Sequence, residues 1–230
     1  MKQLLKSLDI AQADTLPDAR TRLLEAALQL FSAKGLDATS VRELASVAAT
    51  NVAAVNYHFG SKEALHTEVL RYGFRKLTEI QPQLDALLET ARAEWTRTAS
   101  ITAVEEGLTA FIHLFMITTS SPDERCLLIF DREKLAPSAA VQQIIREFFE
   151  PVGRVLSGFI ALLLPGRDHQ AIMLSTYSVI SQCVHLRNAR PAIRHFANRE
   201  ALDPEFVALM AAHISTFTLA ALRGMRQNPA

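Results

Sequence analysis

Apolar positions recur every three to four residues along most of the chain, and no stretch of strict alternation is long enough to read as a strand. The pattern is clear in "PDARTRLLEAALQLFSAKG", where Leu23, Ala27, Leu30 and Phe31 share a face and Leu24 and Leu28 widen it. Pro17 suits a first turn and Gly35 a C-terminal cap, so the spacing predicts a helix over 17–34. Residues 1–16 carry no firm period and read as a flexible arm. In "ATSVRELASVA", Ser40 and Glu43 match a capping box, and Val41, Leu44, Ala45 and Ala48 form the inner side of a short helix. Asn51 can cap a third helix of barely two turns, 52–58. Ser61 and Glu63 open a fourth, predicted to end near Pro82. Further helices are predicted at 83–96, 102–119, 123–135, 138–164, 168–188 and 204–226, with Pro151 expected to kink or split the segment that holds it.

Three short helices in close succession make a helix-turn-helix arrangement. The fold class is therefore all-α: a flexible arm (1–16), a helix-turn-helix domain (17–66), and a larger helical domain (67–230). Composition agrees, with 49% hydrophobic residues, 7% aromatics, eight Gly and nine Pro. The 24 basic and 24 acidic residues cancel, which disfavours coating nucleic acid by bulk charge and leaves sequence-specific contacts open. No apolar run approaches the ~18 residues of a membrane span, and the opening "MKQLLKSLDI" is too short in apolar run for a signal peptide. A soluble, cytoplasmic protein with no membrane partner is expected, with Cys126 and Cys183 as reduced core thiols.

The stretch "NVAAVNYHFGSKEAL" carries the candidate chemistry. A helix enters the major groove, about 12 Å wide, only if its leading face is not bulky. Val52, Ala53 and Ala54 meet that demand, and small apolar groups can touch a thymine methyl. Asn56 can read an adenine edge or hold a phosphate; Tyr57 and His58 carry phosphate donors; Lys62 adds a charge at the next helix start. Val55 and Phe59 face inward. Spacing alone also allows a plain three-helix packing unit.

The segments "LLEAALQLFSAKG", "ATSVRELA" and "VNYHFGSKEAL", in that order and spacing, resemble the DNA-binding domain of TetR-type transcriptional regulators. The resemblance implies that Thr39, Ser40 and Arg42 meet phosphates, that Asn51 to Asn56 face bases, and that Tyr57, His58 and Lys62 hold the backbone. Where the family turn reads "AGV", this chain has "AATN", so Ala49 replaces glycine; a turn that stays helical is expected, since alanine is strained at positive φ. The segments "REKLAPSAA" and "SQCVHLRNARPAIRHF" resemble the C-terminal domain of the CecR/YbiH-like subgroup, which implies a link to drug sensitivity and efflux.

The expected function is a ligand-responsive repressor, homodimeric through the last two long helices, acting on a palindromic double-stranded DNA operator. His113, Tyr177, Gln182 and His185, polar groups on apolar helices, are the candidate effector contacts. No cofactor, metal site or catalytic set is read: the His are scattered and no Gly-rich phosphate loop or nucleophile motif occurs, so the chain is not expected to be an enzyme. The alternative is a helical small-molecule-binding or scaffold protein that no longer reads DNA.

Overall fold

A computed structural model describes residues 17–120, 124–133, 137–188, 193, 195 and 203–227. The expected arm 1–16, part of the "REKLAPSAA" segment and most of 189–202 lie outside the described residues. The described elements are helical, in two units, Met1–Val69 and Leu70–Ala230, the division falling a few residues beyond the expected 66/67.

The first unit holds α1 (Ala19–Lys34), α2 (Val41–Val47) and α3 (Val52–Phe59), and the first turns of α4 (Lys62–Thr98). Its core is Leu23, Ala27 and Phe31 of α1 with Leu44, Ala45, Val55 and Leu65, all at most 3% exposed. Full burial of each large apolar side chain stabilises by about 1.5–3 kcal/mol. His66 packs edge-on to Phe31 at 5.3 Å between ring centroids.

The second unit continues α4 and adds α5 (Ile101–Thr119), α6 (Glu124–Arg132), α7 (Ala139–Ile144), α8 (Glu150–Leu163), α9 (His169–Asn188) and α10 (Pro204–Gln227). Phe111 and Phe115 of α5 meet Phe159 of α8 in its centre, all fully buried. A Cβ at Gly107 would stand 2.7 Å from the Phe159 ring, so glycine there sets how closely α5 and α8 approach.

Pro82 and Pro151 act differently on their helices. Pro82 does not end a helix: α4 runs unbroken for 37 residues. The buried stripe Leu77, Ile80, Leu84, Leu88 and Ala91 stays in register across it, and Pro82 lies on the exposed face, where water can take up the carbonyl it leaves unbonded. Pro151 does split its segment as expected, standing in the first turn of α8 and not inside one continuous helix. A π-helical stretch, Ile145–Phe149, joins α7 to α8, and Glu150 N–H donates to the Ile145 carbonyl five residues back. The widened turn receives the proline at the start of α8 and turns Phe148 and Phe149 towards Phe74, at 6.3 and 5.2 Å between centroids.

By length and composition α5 and α10 are apolar enough to cross a membrane, contrary to the reading of the sequence. Both bury an apolar face in this unit, and a two-pronged ion pair from Arg223 on α10 to Glu105 on α5 joins them. Each helix thus commits one face to the interior of this unit.

Candidate nucleic-acid interface and ligand cavity

The turn before α3 is built from α1 outwards. Ser40 accepts from the Glu43 N–H at 3.2 Å, and a Glu43 carboxylate oxygen accepts from the Ser40 N–H at 2.9 Å. These bonds and Lys34 hold the exposed Glu43 carboxyl down at about 2. The Arg22 guanidinium then crosses from α1 to donate to the carbonyls of Ala48 (2.9 Å), Ala49 (3.5 Å) and Pro17 (2.6 Å). Ala49 has φ +49°, which corrects the expectation of a helical turn: alanine sits where the left-handed conformation favours glycine. Arg22 was not singled out in the sequence, because its targets are carbonyls 26 and 27 positions away that only the folded turn brings within reach.

Asn51 caps α3, its Oδ1 accepting from the Ala54 N–H at 2.8 Å, which leaves its amide NH2 to face outward. Gly60, at φ +82°, closes the helix with its N–H on the Asn56 carbonyl. Between those caps Val55 is fully buried, while Asn51, Val52, Ala53, Asn56 and Tyr57 are exposed; Ala54 and His58 are half-buried. Tyr57 is 85% exposed, with its ring edge-on to His58 at 4.9 Å. The Arg20 guanidinium stacks over Phe59 at 5.2 Å and pairs with Glu68, pinning the inner side of α3. The eight residues of α3 present one outward face that is small in its first turn and polar in its second. A concave surface of about 510 Å³, lined by Arg22, Asn51, Ala53, Tyr57 and His58 among others, adjoins that face.

Ser40 and Arg42 are exposed at the start of α2. Two residues expected on phosphates point elsewhere. Thr39 is 1% exposed and its hydroxyl donates to the Gly35 carbonyl at 2.8 Å, so it braces the α1–α2 loop. The Lys62 ammonium donates to the carbonyls of Leu36 (2.9 Å) and Thr39 (3.0 Å). Both residues shape the start of α2 from behind.

In the second unit a cavity of about 1190 Å³ opens between α8 and α9, reached by Tyr177 and His185. Its α8 side includes Gly153, Ser157, Gly158 and Ala161, small residues on one helical face, which is why space remains there. Gln182 and His113 do not line it. The Gln182 amide donates to the Ser178 carbonyl, and His113 lies in a separate shallow pocket with Glu105 and Arg223. The Cys183 thiol is pushed up to about 12 by burial, so it is an inert core group, and Cys126 is likewise buried.

Comparison with known proteins divides the chain in the same way. Residues 23–69 match the family model of bacterial regulatory proteins of the tetR family. Residues 104–225 match that of the C-terminal domain of the HTH-type transcriptional dual regulator CecR. A CecR of Shigella flexneri is 26% identical over 218 residues, covering 91% of this chain and 93% of that protein. The HTH-type transcriptional repressor KstR2 of Rhodococcus jostii (strain RHA1) is 44% identical over 52 residues, 23% of this chain and 26% of its own length. A solved structure of a protein from Pseudomonas aeruginosa PAO1 shares the fold at TM-score 0.58 and 15% identity, over 90% of this chain and 92% of that one. With a helix-turn-helix head whose α3 is capped, pinned and bare on its outer face, and a helical domain matched over more than half the chain, this protein belongs to the TetR-type transcriptional regulators, with a C-terminal domain of the CecR kind.

Proposed function

We propose that the chain works in the cytoplasm as a homodimeric, ligand-responsive repressor on a two-fold symmetric operator, its targets including genes of drug efflux or sensitivity. The observation that carries the dimer is the outer face of α10. Ala208, Leu209, Ala212, His213, Thr216, Phe217, Ala220 and Ala221 are all exposed, a stripe free of Asp, Glu, Lys and Arg between Glu205 and Arg223, on which Leu209 is 60% and Phe217 58% exposed. Such a continuous apolar face on a helix calls for a cover. Leu174 and Tyr177, 54% and 61% exposed, extend the apolar surface onto α9. A two-fold pair carries two copies of α3, which suits two half-sites on one side of a duplex.

Repression needs only that the pair occupy its operator. The α8–α9 cavity offers a place for an effector to favour one arrangement of the pair over another. A coupling of about 1–3 kcal/mol changes operator affinity by roughly 5–150-fold, enough to switch a gene. The Shigella flexneri relative is described as a dual regulator, so activation at some sites is compatible with the same machinery.

The test is recovery and sequencing of duplexes retained by the purified chain from a random pool, with light scattering on the same sample. The proposal expects a two-fold symmetric consensus and a dimer mass. A monomer, or retained duplexes without symmetry, overturns it.

A further inference from the structure

The α8–α9 cavity has a chemical character that names its occupant, and the inference rests on reading that cavity as the effector site. Its walls are mainly apolar, with Met173, Ile180 and Val184 on α9 and the near-parallel rings of Phe130 and Phe149 at 5.7 Å. Two guanidinium groups, Arg92 and Arg154, line the same space, and neither makes a hydrogen bond or ion pair among the described residues. The carboxylate lining the cavity is Glu150, one turn before Arg154 on α8. Two imidazoles, His169 and His185, also line the cavity; counting only the permanently charged groups, one carboxylate against two guanidiniums leaves one positive charge unbalanced beside an apolar wall.

The position of Arg92 is built in. A Cβ at Gly158 would stand 3.2 Å from Arg92 Nη2 and 2.6 Å from Leu88 Cδ2, so glycine is what lets the guanidinium lie across α8 beside the cavity. Gly158 follows Phe149 by about 13 Å of helix rise. The cationic end and the aromatic end of the cavity are therefore separated by the length of a ring system with a short tail.

We propose that this cavity takes a bulky amphipathic monoanion, its carboxylate or equivalent head held by Arg92 and Arg154 and its ring body against Phe130 and Phe149. Planar guanidinium pairs suit a carboxylate, and offset or edge-on ring contacts suit an aromatic body. A monoanion balances the one surplus charge; a dianion overshoots it, and a cation meets two guanidiniums.

Three matched fluorescent probes test this on the full chain: 1-pyrenebutyrate, 1-pyrenebutanol and pyrenebutyltrimethylammonium. Each is titrated by fluorescence, and its effect on the duplex selected above is followed by anisotropy. Gly153, which lines the cavity and whose Cβ would meet nothing within 4 Å, is the blocking position. The expected result is that the carboxylate binds about tenfold or more tighter than the alcohol and that the cation binds weakest. Arg92→Gln and Arg154→Gln should each weaken the carboxylate about tenfold and the alcohol less than twofold, Arg92→Lys should recover part of the loss, and Gly153→Phe should block all three. Because both arginines are exposed, melting temperatures should stay level across the Arg92 and Arg154 variants. Equal binding of alcohol and carboxylate, or tighter binding of the cation, overturns the charge assignment while leaving the effector-site reading intact if the duplex is still released. Binding of none of the three, or binding that ignores Gly153→Phe, overturns the proposal and the effector-site reading together.

Discussion

Replacing Ala49 by glycine should stabilise the helix-turn-helix head. Ala49 holds φ +49° at the end of α2. An L-residue with a Cβ in that region costs about 1–2 kcal/mol relative to glycine. Glycine gives back about 0.5–1 kcal/mol through its larger freedom in the unfolded chain. The Ala49 side chain is exposed, so no buried methyl is lost, and the bonds at this residue (its N–H to the Ser46 carbonyl, its own carbonyl from Arg22) involve backbone groups that glycine keeps. The difference spans roughly 0–1.5 kcal/mol, with a central expectation of a gain of about 0.75 kcal/mol. Native-state amide exchange reads it locally: the amides of Leu44 and Val55 should exchange about two- to fivefold more slowly in the variant. Ala49→Val should move the other way, since a β-branched residue tolerates the left-handed region worse than alanine. Faster exchange in Ala49→Gly would refute the strain argument and mean that the turn relaxes to a right-handed conformation in solution.

Three further outcomes follow from named contacts. Gly73→Ala should destabilise the second unit by about 1–3 kcal/mol in urea unfolding, because the added Cβ would stand 2.4 Å from both Cβ and Sγ of Cys126. Glu43, held at about 2 when folded by Lys34 and Ser40, contributes stability that is fully present above its unfolded value near 4.5 and lost as pH falls towards 2; the stability gap between the wild type and Glu43→Gln should close across that window in acid titrations followed by circular dichroism. Phe217→Glu, placing a charge mid-way along the bare face of α10, should shift the species seen by light scattering from dimer to monomer and leave helix content unchanged.

The helical periods, the Ser40–Glu43 capping box, the Asn51 cap and the burial of Val55 were all legible in the sequence, because each is decided within one or two turns of chain. What escaped it depends on distant partners. Thr39 and Lys62 look like donors awaiting a phosphate until the fold supplies carbonyls 4 and 26 positions away. Arg22 looks like an ordinary surface charge on α1 until the turn it holds is in place. Pro82 reads as a terminator because local rules see the missing N–H and not the buried stripe that carries α4 past it. Tyr177 and His185 were found as polar interruptions of an apolar helix; Arg92 and Arg154 were missed, because exposed arginines carry no local signal and only the gap left by small residues on α8 draws them to a cavity.

The outer face of α3 is proposed to grip DNA. Anisotropy titrations of the selected duplex at a series of salt concentrations, with the wild type and an Asn56→Ala/Tyr57→Ala double variant, test it most directly. Both side chains are exposed, so the variant should fold and melt like the wild type. The account predicts that wild-type affinity falls linearly on a log–log plot as salt rises and that the variant binds at least about tenfold more weakly at every salt concentration. Equal affinity of the two proteins, or binding that ignores salt, would contradict it.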